Sequence, residues 1–430
     1  MRLGATRRFE GMILRDRFFE VPLDYTQSGG PRIEVFAREI VASSSDANEK
    51  LPWAIFFQGG PGFASPRPSN KSGWLGEMLK GHRVLLLDQR GNGLSSKVLP
   101  QSLATFASPQ AQADYLTHFR ADNIVRDAEA IRLRLLPRSM KWVGLGQSYG
   151  GFILLTYLSF HPEGLAKVLI TGGVACVKHH IDENYRLTYG KVLEKNRQFY
   201  ERYPEDQAII REVLLALGKS PTLPSGRPLT NRRFQQLGLN FGISGAYEIL
   251  HYLLEEVFIG GRGGRELSYT FLAGCDRQLP FETNPIFCIL HESIYAENYA
   301  TRWAAERLRA EFPAMEISPD QRLIFTGEMI SPTMLDDYPV LRPLRDCADL
   351  LAEKSDWGPL YDLPQLARNE VPVAAVSYHG DMYVPIEWSE ETARHIPHFA
   401  QWITNEWEHN GLGADGPRII ARLIEMSDSV

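Results

Sequence analysis

Cysteine is scarce in this 430-residue chain: Cys176, Cys275, Cys288 and Cys347 lie far apart, and no two form a C-x-x-C pair. That spacing suits reduced, buried thiols in a cytoplasmic protein better than a disulfide framework or a zinc site. Long apolar runs are missing too. No segment approaches the roughly 20 apolar residues that a membrane-spanning helix requires. The N-terminal stretch MRLGATRRFEGMILRDRFFEVPLDY has early arginines but no apolar h-region and no small-residue cleavage site, so no signal peptide is expected. Positive charge is in deficit, with 46 Lys and Arg against 52 Asp and Glu. The formal net charge of −6 argues against nucleic acid or an anionic membrane as the main partner. Repeats and low-complexity tracts are absent. Between residues 176 and 357 the one glycine cluster, GGRGG at 260–264, lacks the lysine and following Ser/Thr of a phosphate-binding loop and is expected to be a flexible loop.

What the chain does have is a series of short aliphatic runs that end in glycine- or aspartate-bearing turns. They are WAIFFQGGPG (53–62), RVLLLDQRGNG (83–93), WVGLGQS (142–148), KVLITGG (167–173) and PVAAVSYHGD (372–381), and a final candidate without such a turn is FAQWITNEWEH (399–409). Near-continuous apolar runs of this length fit strands buried on both faces of a parallel sheet. Helix-like stretches such as 122–136 and 150–160 lie between them, so the expected class is α/β with a doubly covered, mostly parallel sheet. Two earlier runs, FFEVPL and RIEVFAREIV, alternate more and predict an antiparallel edge. After about residue 175 the strand signal stops and returns only at Val371. Three stretches between, beginning at Asn184, Ala246 and Glu297, read as helices with charged faces. The expected organisation is therefore a catalytic domain built from residues 1–175 and 358–430, with a mainly helical cap, 176–357, inserted between two of its strands.

Gly146-Gln147-Ser148-Tyr149-Gly150 fits G-x-S-x-G, with strand signal before it and helix signal after it. In that setting the serine occupies a tight strand-to-helix turn whose flanking positions must be small. A nucleophilic serine needs a base, and the base needs an orienting carboxylate. Asp381 ends the next-to-last strand and His409 follows the last, giving the order Ser, Asp, His, with all three at carboxyl ends of strands. His395 and His398 compete but precede the last strand. Glu406 and Glu408 rival Asp381 but sit too close to His409 in sequence to lie behind its ring. The oxyanion donors expected are the backbone N–H groups of Tyr149, just after the nucleophile, and of Gly60 in QGGPG. Asp88 and Arg90 of DQRGNG are expected to fix the turn after a core strand.

Together QGGPG, DQRGNGLS, GQSYGG, TGGV, GDMYVP and EHNGLG resemble the prolyl aminopeptidases (proline iminopeptidases) of the α/β-hydrolase superfamily, in particular the branch with a longer cap. The likeness runs from about residue 20 to 415. It implies an α/β-hydrolase fold with a helical cap. It also implies a serine exopeptidase that releases N-terminal proline from peptides with a free amino terminus, using no metal or organic cofactor. Many members have histidine where this chain has Gln58, a difference that bears on the bracing of the oxyanion loop. The family binds the substrate ammonium with cap glutamates, and the matching positions are Glu292 in LHESIYAE and Glu328 in FTGEMISP; Glu255 and Glu256 are weaker candidates. HESIY lacks the second histidine of H-E-x-x-H, so no metal is assigned. The triad alone leaves open an esterase or a broader aminopeptidase, since pocket and cap decide specificity. A non-catalytic binding protein on the same scaffold is the reading from another class.

Overall fold

The computed structural model describes residues 1–45, 50–261, 264–278, 281–318 and 320–430. Its strands are β1 (Arg2–Phe9), β2 (Met12–Pro22), β3 (Arg32–Ala42), β4 (Trp53–Phe57), β5 (Arg83–Asp88), β6 (Trp142–Gln147), β7 (Leu165–Thr171), β8 (Phe258–Gly261), β9 (Gly264–Leu267), β10 (Val373–Tyr378) and β11 (Phe399–Thr404). Nine of them form one sheet in the order β1-β2-β3-β5-β4-β6-β7-β10-β11. Pairing is antiparallel from β1 to β5 and parallel from β5 to β11. The six aliphatic runs are the six parallel strands, and the two alternating runs are β2 and β3. β1 is an additional edge strand whose exposed RLGATRRF carries no apolar alternation to announce it.

Alternation along β4 shows why the sheet is covered on both sides. Ala54 and Phe56 join Val84 and Leu86 of β5 under the Gly73–Met78 and Gly416–Ser427 helices. Ile55 and Phe57 join Leu85 and Leu87 on the opposite face, under the Ala121–Leu135 and Tyr149–Phe160 helices. Each fully buried Leu, Ile or Phe contributes about 1.5–3 kcal/mol.

Between β7 and β10 the chain adds no strand to this sheet among the described residues. It forms helices, the longest being Ile181–Arg202, and one hairpin in which β8 pairs with β9. That hairpin corrects the loop expected at 260–264: Gly260 and Gly261 pair with Arg265 and Gly264, while Arg262 and Gly263 lie outside the described residues. The stretch expected to be helical from Glu297 is helical only at Ala304–Leu308, followed by short 3-10 turns. The same apolar cluster that holds Ile55 and Phe57 continues through Ile286, Phe287 and Phe325 of the insertion. Arg120, buried beneath, reinforces the join. Its guanidinium donates to the carbonyls of Ser293, Ala296 and Gly358 and lies 4.5 Å from the Trp357 ring centroid.

The turn from β6 into the Tyr149–Phe160 helix packs backbone directly against backbone. A Cβ added at Gly150 would sit 2.0 Å from the Phe57 carbonyl oxygen, and one at Gly151 would sit 2.3 Å from that of Gly173. Only hydrogen fits where three backbones meet. Gly150→Ala is expected to lower the free energy of unfolding by about 3 kcal/mol or to prevent folding. Gly190→Ala, where a methyl meets nothing within 4 Å on an exposed helical face, is expected to raise it by about 0.5–1 kcal/mol. Urea titrations measure both, and a neutral Gly150→Ala would contradict the packing described.

Candidate active site

Ser148 has φ 55° and ψ −125°, a backbone conformation that L-residues rarely adopt. Strain of this kind persists only where neighbours over-determine it. Here the Ser148 N–H donates to the Thr171 carbonyl at 2.9 Å, and the Ser148 carbonyl accepts from the Gly151 N–H at 2.7 Å. The turn is thereby tied to β7 on one side and to its own helix on the other.

His409 and Asp381 meet at the carboxyl ends of β11 and β10. The His409 Nδ1 lies 2.6 Å from the Asp381 Oδ2, and both residues are buried. The other Asp381 oxygen accepts from the Tyr383 and Val384 N–H groups at 2.8 and 3.0 Å, which fixes the carboxylate's orientation. The Tyr383 ring packs edge-on against the imidazole with centroids 4.9 Å apart. Burial pulls the imidazole's pKa down, but the charge and hydrogen bond of Asp381, with Glu328 and Glu408 further off, outweigh it and hold it above the ordinary value.

The Gly172–Gly173 turn brings this pair to the serine. A Cβ on Gly172 would lie 3.2 Å from the His409 Nδ1, and one on Gly173 would lie 2.1 Å from the Ser148 carbonyl oxygen. His409 and Ser148 thus flank the same two residues. His395 and His398 lie outside this arrangement, at the end of the Ile386–His395 helix and in the turn before β11. Glu406 is committed to Arg418, and Glu408 to Lys195.

The QGGPG loop closes the other side. A Cβ on Gly59 would lie 2.8 Å from that of Ser148, so the loop backbone passes directly over the serine. Gly60 has φ 134° and precedes Pro61 through a cis peptide bond. The Gln89 side chain donates to the Gln58 carbonyl at 2.8 Å and braces the loop start through the backbone, whatever side chain stands at 58. Tyr149 is the first residue of its helix, where N–H groups have no intrahelical acceptor. Asp88 and Arg90 serve the framework: Asp88 accepts from the Ser65 and Leu94 N–H groups and pairs with Arg67, and Arg90 pairs with Asp127.

The two cap glutamates have different surroundings. Glu292 is buried and its oxygens accept from the Ala304 and Ala305 N–H groups, both at 2.9 Å, so its carboxylate caps the Ala304–Leu308 helix. Glu328 interacts electrostatically with both His409 and Asp381. Burial, partly offset by His409 and augmented by Asp381, pushes its pKa up to about 8. Its ion-pair-range neighbour is the His291 Nε2 at 3.9 Å, and burial holds that imidazole neutral, with its pKa down at about 3. The hydroxyl of Tyr185 is buried without a hydrogen-bond partner among the described residues and feels the charge of both glutamates. Sequence reading did not single out Tyr185; its place on the buried stripe of the Ile181–Arg202 helix was the available signal. Glu255 and Glu256 end the Ala246–Glu255 helix.

Among the described residues one trio, Glu129, His161 and Glu163, comes within metal-ligand range of one another. Glu129 already accepts from the Arg132 guanidinium and the Tyr157 hydroxyl, which leaves it a poor ligand. No helix among the described residues is long and apolar enough to cross a membrane.

Residues 52–256 match the model of the alpha/beta hydrolase fold family. Over 420 residues, spanning 97% of each chain, the sequence is 49% identical to a protein of Aeromonas sobria named proline iminopeptidase. It is 33% identical over 421 residues to the proline iminopeptidase aneH of Aspergillus aculeatus, covering 95% of this chain and 92% of that one.

On the expectation that His409 is its base, Ser148 should react only while that imidazole is neutral. The rate of labelling by a fluorophosphonate is expected to rise with pH through a midpoint above the ordinary histidine value of 6.5. Asp381→Asn removes the main upward influence, so the midpoint should fall, and the plateau rate should drop by about ten-thousand-fold. A labelling rate independent of pH, or unchanged by Asp381→Asn, would contradict the coupling.

Proposed function

The chain belongs to the proline iminopeptidase family of α/β-hydrolases, and from that premise we propose that it releases N-terminal proline from peptides by acyl transfer through Ser148. His409 takes the Ser148 proton as the hydroxyl oxygen attacks the carbonyl of the N-terminal residue. Asp381 holds the imidazole with Nδ1–H toward itself and stabilises the imidazolium that forms. The N–H groups of Gly60 and Tyr149 donate to the oxyanion. His409 then returns the proton to the leaving amine, and water, activated by the same imidazole, hydrolyses the prolyl ester. Every step falls to a protein group, so neither metal nor organic cofactor enters the scheme.

The observation that carries the exopeptidase reading is Glu328, a carboxyl group with no committed cation among the described residues, which interacts with both His409 and Asp381. The ammonium carried by the same residue as the scissile carbonyl would meet it, and burial strengthens that attraction. Glu292 is already spent on the Ala304–Leu308 helix, and its charge, like that of Glu328, is felt by the buried Tyr185. Residues 176–357 act as the cap that limits which peptide tails enter. The four dispersed cysteines, each a free thiol, support a cytoplasmic setting.

Turnover of proline 2-naphthylamide, compared with the alanine and leucine analogues and a short acyl ester, tests this reading. Proline is expected to be preferred. Glu328→Gln is expected to raise KM by about 10–100-fold, the worth of one charge-assisted hydrogen bond of about 1.5–3 kcal/mol. The carboxylate form is the one that binds ammonium, so for the wild type KM should fall as pH rises toward 8, and Glu328→Gln should flatten that dependence. Ester turnover without amide turnover would leave the serine chemistry standing and sink the aminopeptidase assignment.

A further inference from the structure

Lys195 occupies an unusual place for a lysine. The Ile181–Arg202 helix buries Tyr185, Thr188, Val192, Lys195, Asn196 and Phe199, a stripe at spacings of three and four, and the Lys195 side chain is only 5% exposed. An ammonium on such a face is tolerated only with a partner. Its Nζ lies 2.6 Å from the Glu408 Oε1. A Cβ on Gly380 would lie 3.2 Å from the same Nζ. One group from the insertion therefore touches the residue before Asp381 and the residue before His409.

The histidine loop is stitched to the insertion along its length. The Glu408 N–H donates to the Ser244 Oγ at 3.4 Å, and the His409 N–H donates to the Gly242 carbonyl at 3.0 Å. The Asn410 Oδ1 accepts from both the N–H and the hydroxyl of Ser244 at 3.0 Å. Tyr383, which packs on the imidazole, donates its hydroxyl to the Leu239 carbonyl. Three consecutive residues of the loop thus take partners from 242–244 and from Lys195.

We propose that Lys195 and Ser244 are positioning residues for the catalytic histidine, so that the insertion, together with the sheet, sets where the His409 imidazole stands relative to Ser148. The proposal rests on the acyl-transfer reading above. It adds that substrate-gating and base-positioning are one structure: a displaced insertion carries the histidine loop with it, and the base is assembled only while the insertion is seated. A lysine serving stability alone would leave kcat untouched in any variant that folds.

The test uses the full chain and two readouts, turnover of proline 2-naphthylamide and the rate at which a fluorophosphonate labels Ser148. For Lys195→Met the expected result is a fall in kcat of about 10–100-fold from misplacement of the base, with KM unchanged. The labelling rate should fall by the same factor, and Lys195→Arg should recover most of both. A folded Lys195→Met with wild-type kcat and labelling rate, or with its loss confined to KM, would overturn the proposal. If Lys195→Met does not fold, Ser244→Ala decides, because that side chain is exposed and its removal spares the core. The same joint fall in kcat and labelling is then expected, and wild-type rates overturn the proposal. Labelling involves no proline, so a wild-type protein that labels but releases no naphthylamine sinks the substrate reading alone and leaves the labelling rates to judge Lys195.

Discussion

Three backbone segments meet at the end of β6 more closely than any side chain would allow. The Phe57 carbonyl faces Gly150, the Gly173 carbonyl faces Gly151, and the Ser148 carbonyl faces Gly173, each at a distance that a methyl group would violate. This contact forces the chain to turn within one residue, and Ser148 is the residue that takes the positive φ. It also sets the neighbours. The QGGPG loop is pressed over the serine from β4, and the Gly172–Gly173 turn is pressed under it from β7. With those two turns fixed, Asp381 and His409 stand against the Gly172–Gly173 turn at the ends of β10 and β11.

Charge around the serine is arranged with the same economy. Asp381 is held by two N–H groups and one imidazole, which leaves its carboxylate fully partnered in a buried setting. His409 is raised by Asp381 and, more weakly, by Glu328 and Glu408, against a burial that would lower it. Two of those three carboxylates are controlled from the insertion: Glu328 belongs to it, and Glu408 is paired with Lys195. The insertion therefore shapes the electrostatic field at the His409 imidazole.

Much of this was legible in the chain because the relevant signals are local. Five buried strands announce themselves as aliphatic runs that end in marked turns, and the half-exposed edge strand β11 follows them with a weaker signal. G-x-S-x-G carries its own steric explanation, and the order of Ser148, Asp381 and His409 follows from strand order. The remainder depends on contacts distant in sequence. β1 is an exposed edge with no apolar periodicity, and β2, across the sheet, is what makes it a strand. Glu292 and Glu328 look alike in sequence, yet Ala304 and Ala305 supply backbone donors to one and not to the other. Lys195 did leave a trace, a lysine on an otherwise buried helical stripe, but its meaning requires knowing that Gly380 and Glu408 lie beneath it.

Covalent capture tests the central claim most directly. Mixed with proline 4-nitrophenyl ester and quenched in acid within the first turnover, the protein should carry one prolyl group, and peptide mapping should find it as an ester on Ser148. The adduct should be absent from Ser148→Ala and should accumulate when His409 is replaced by a residue that permits acylation by the activated ester but not deacylation. A prolyl group on any other residue, or rapid turnover with Ser148 replaced by alanine, would contradict the assignment of Ser148 as the acyl carrier.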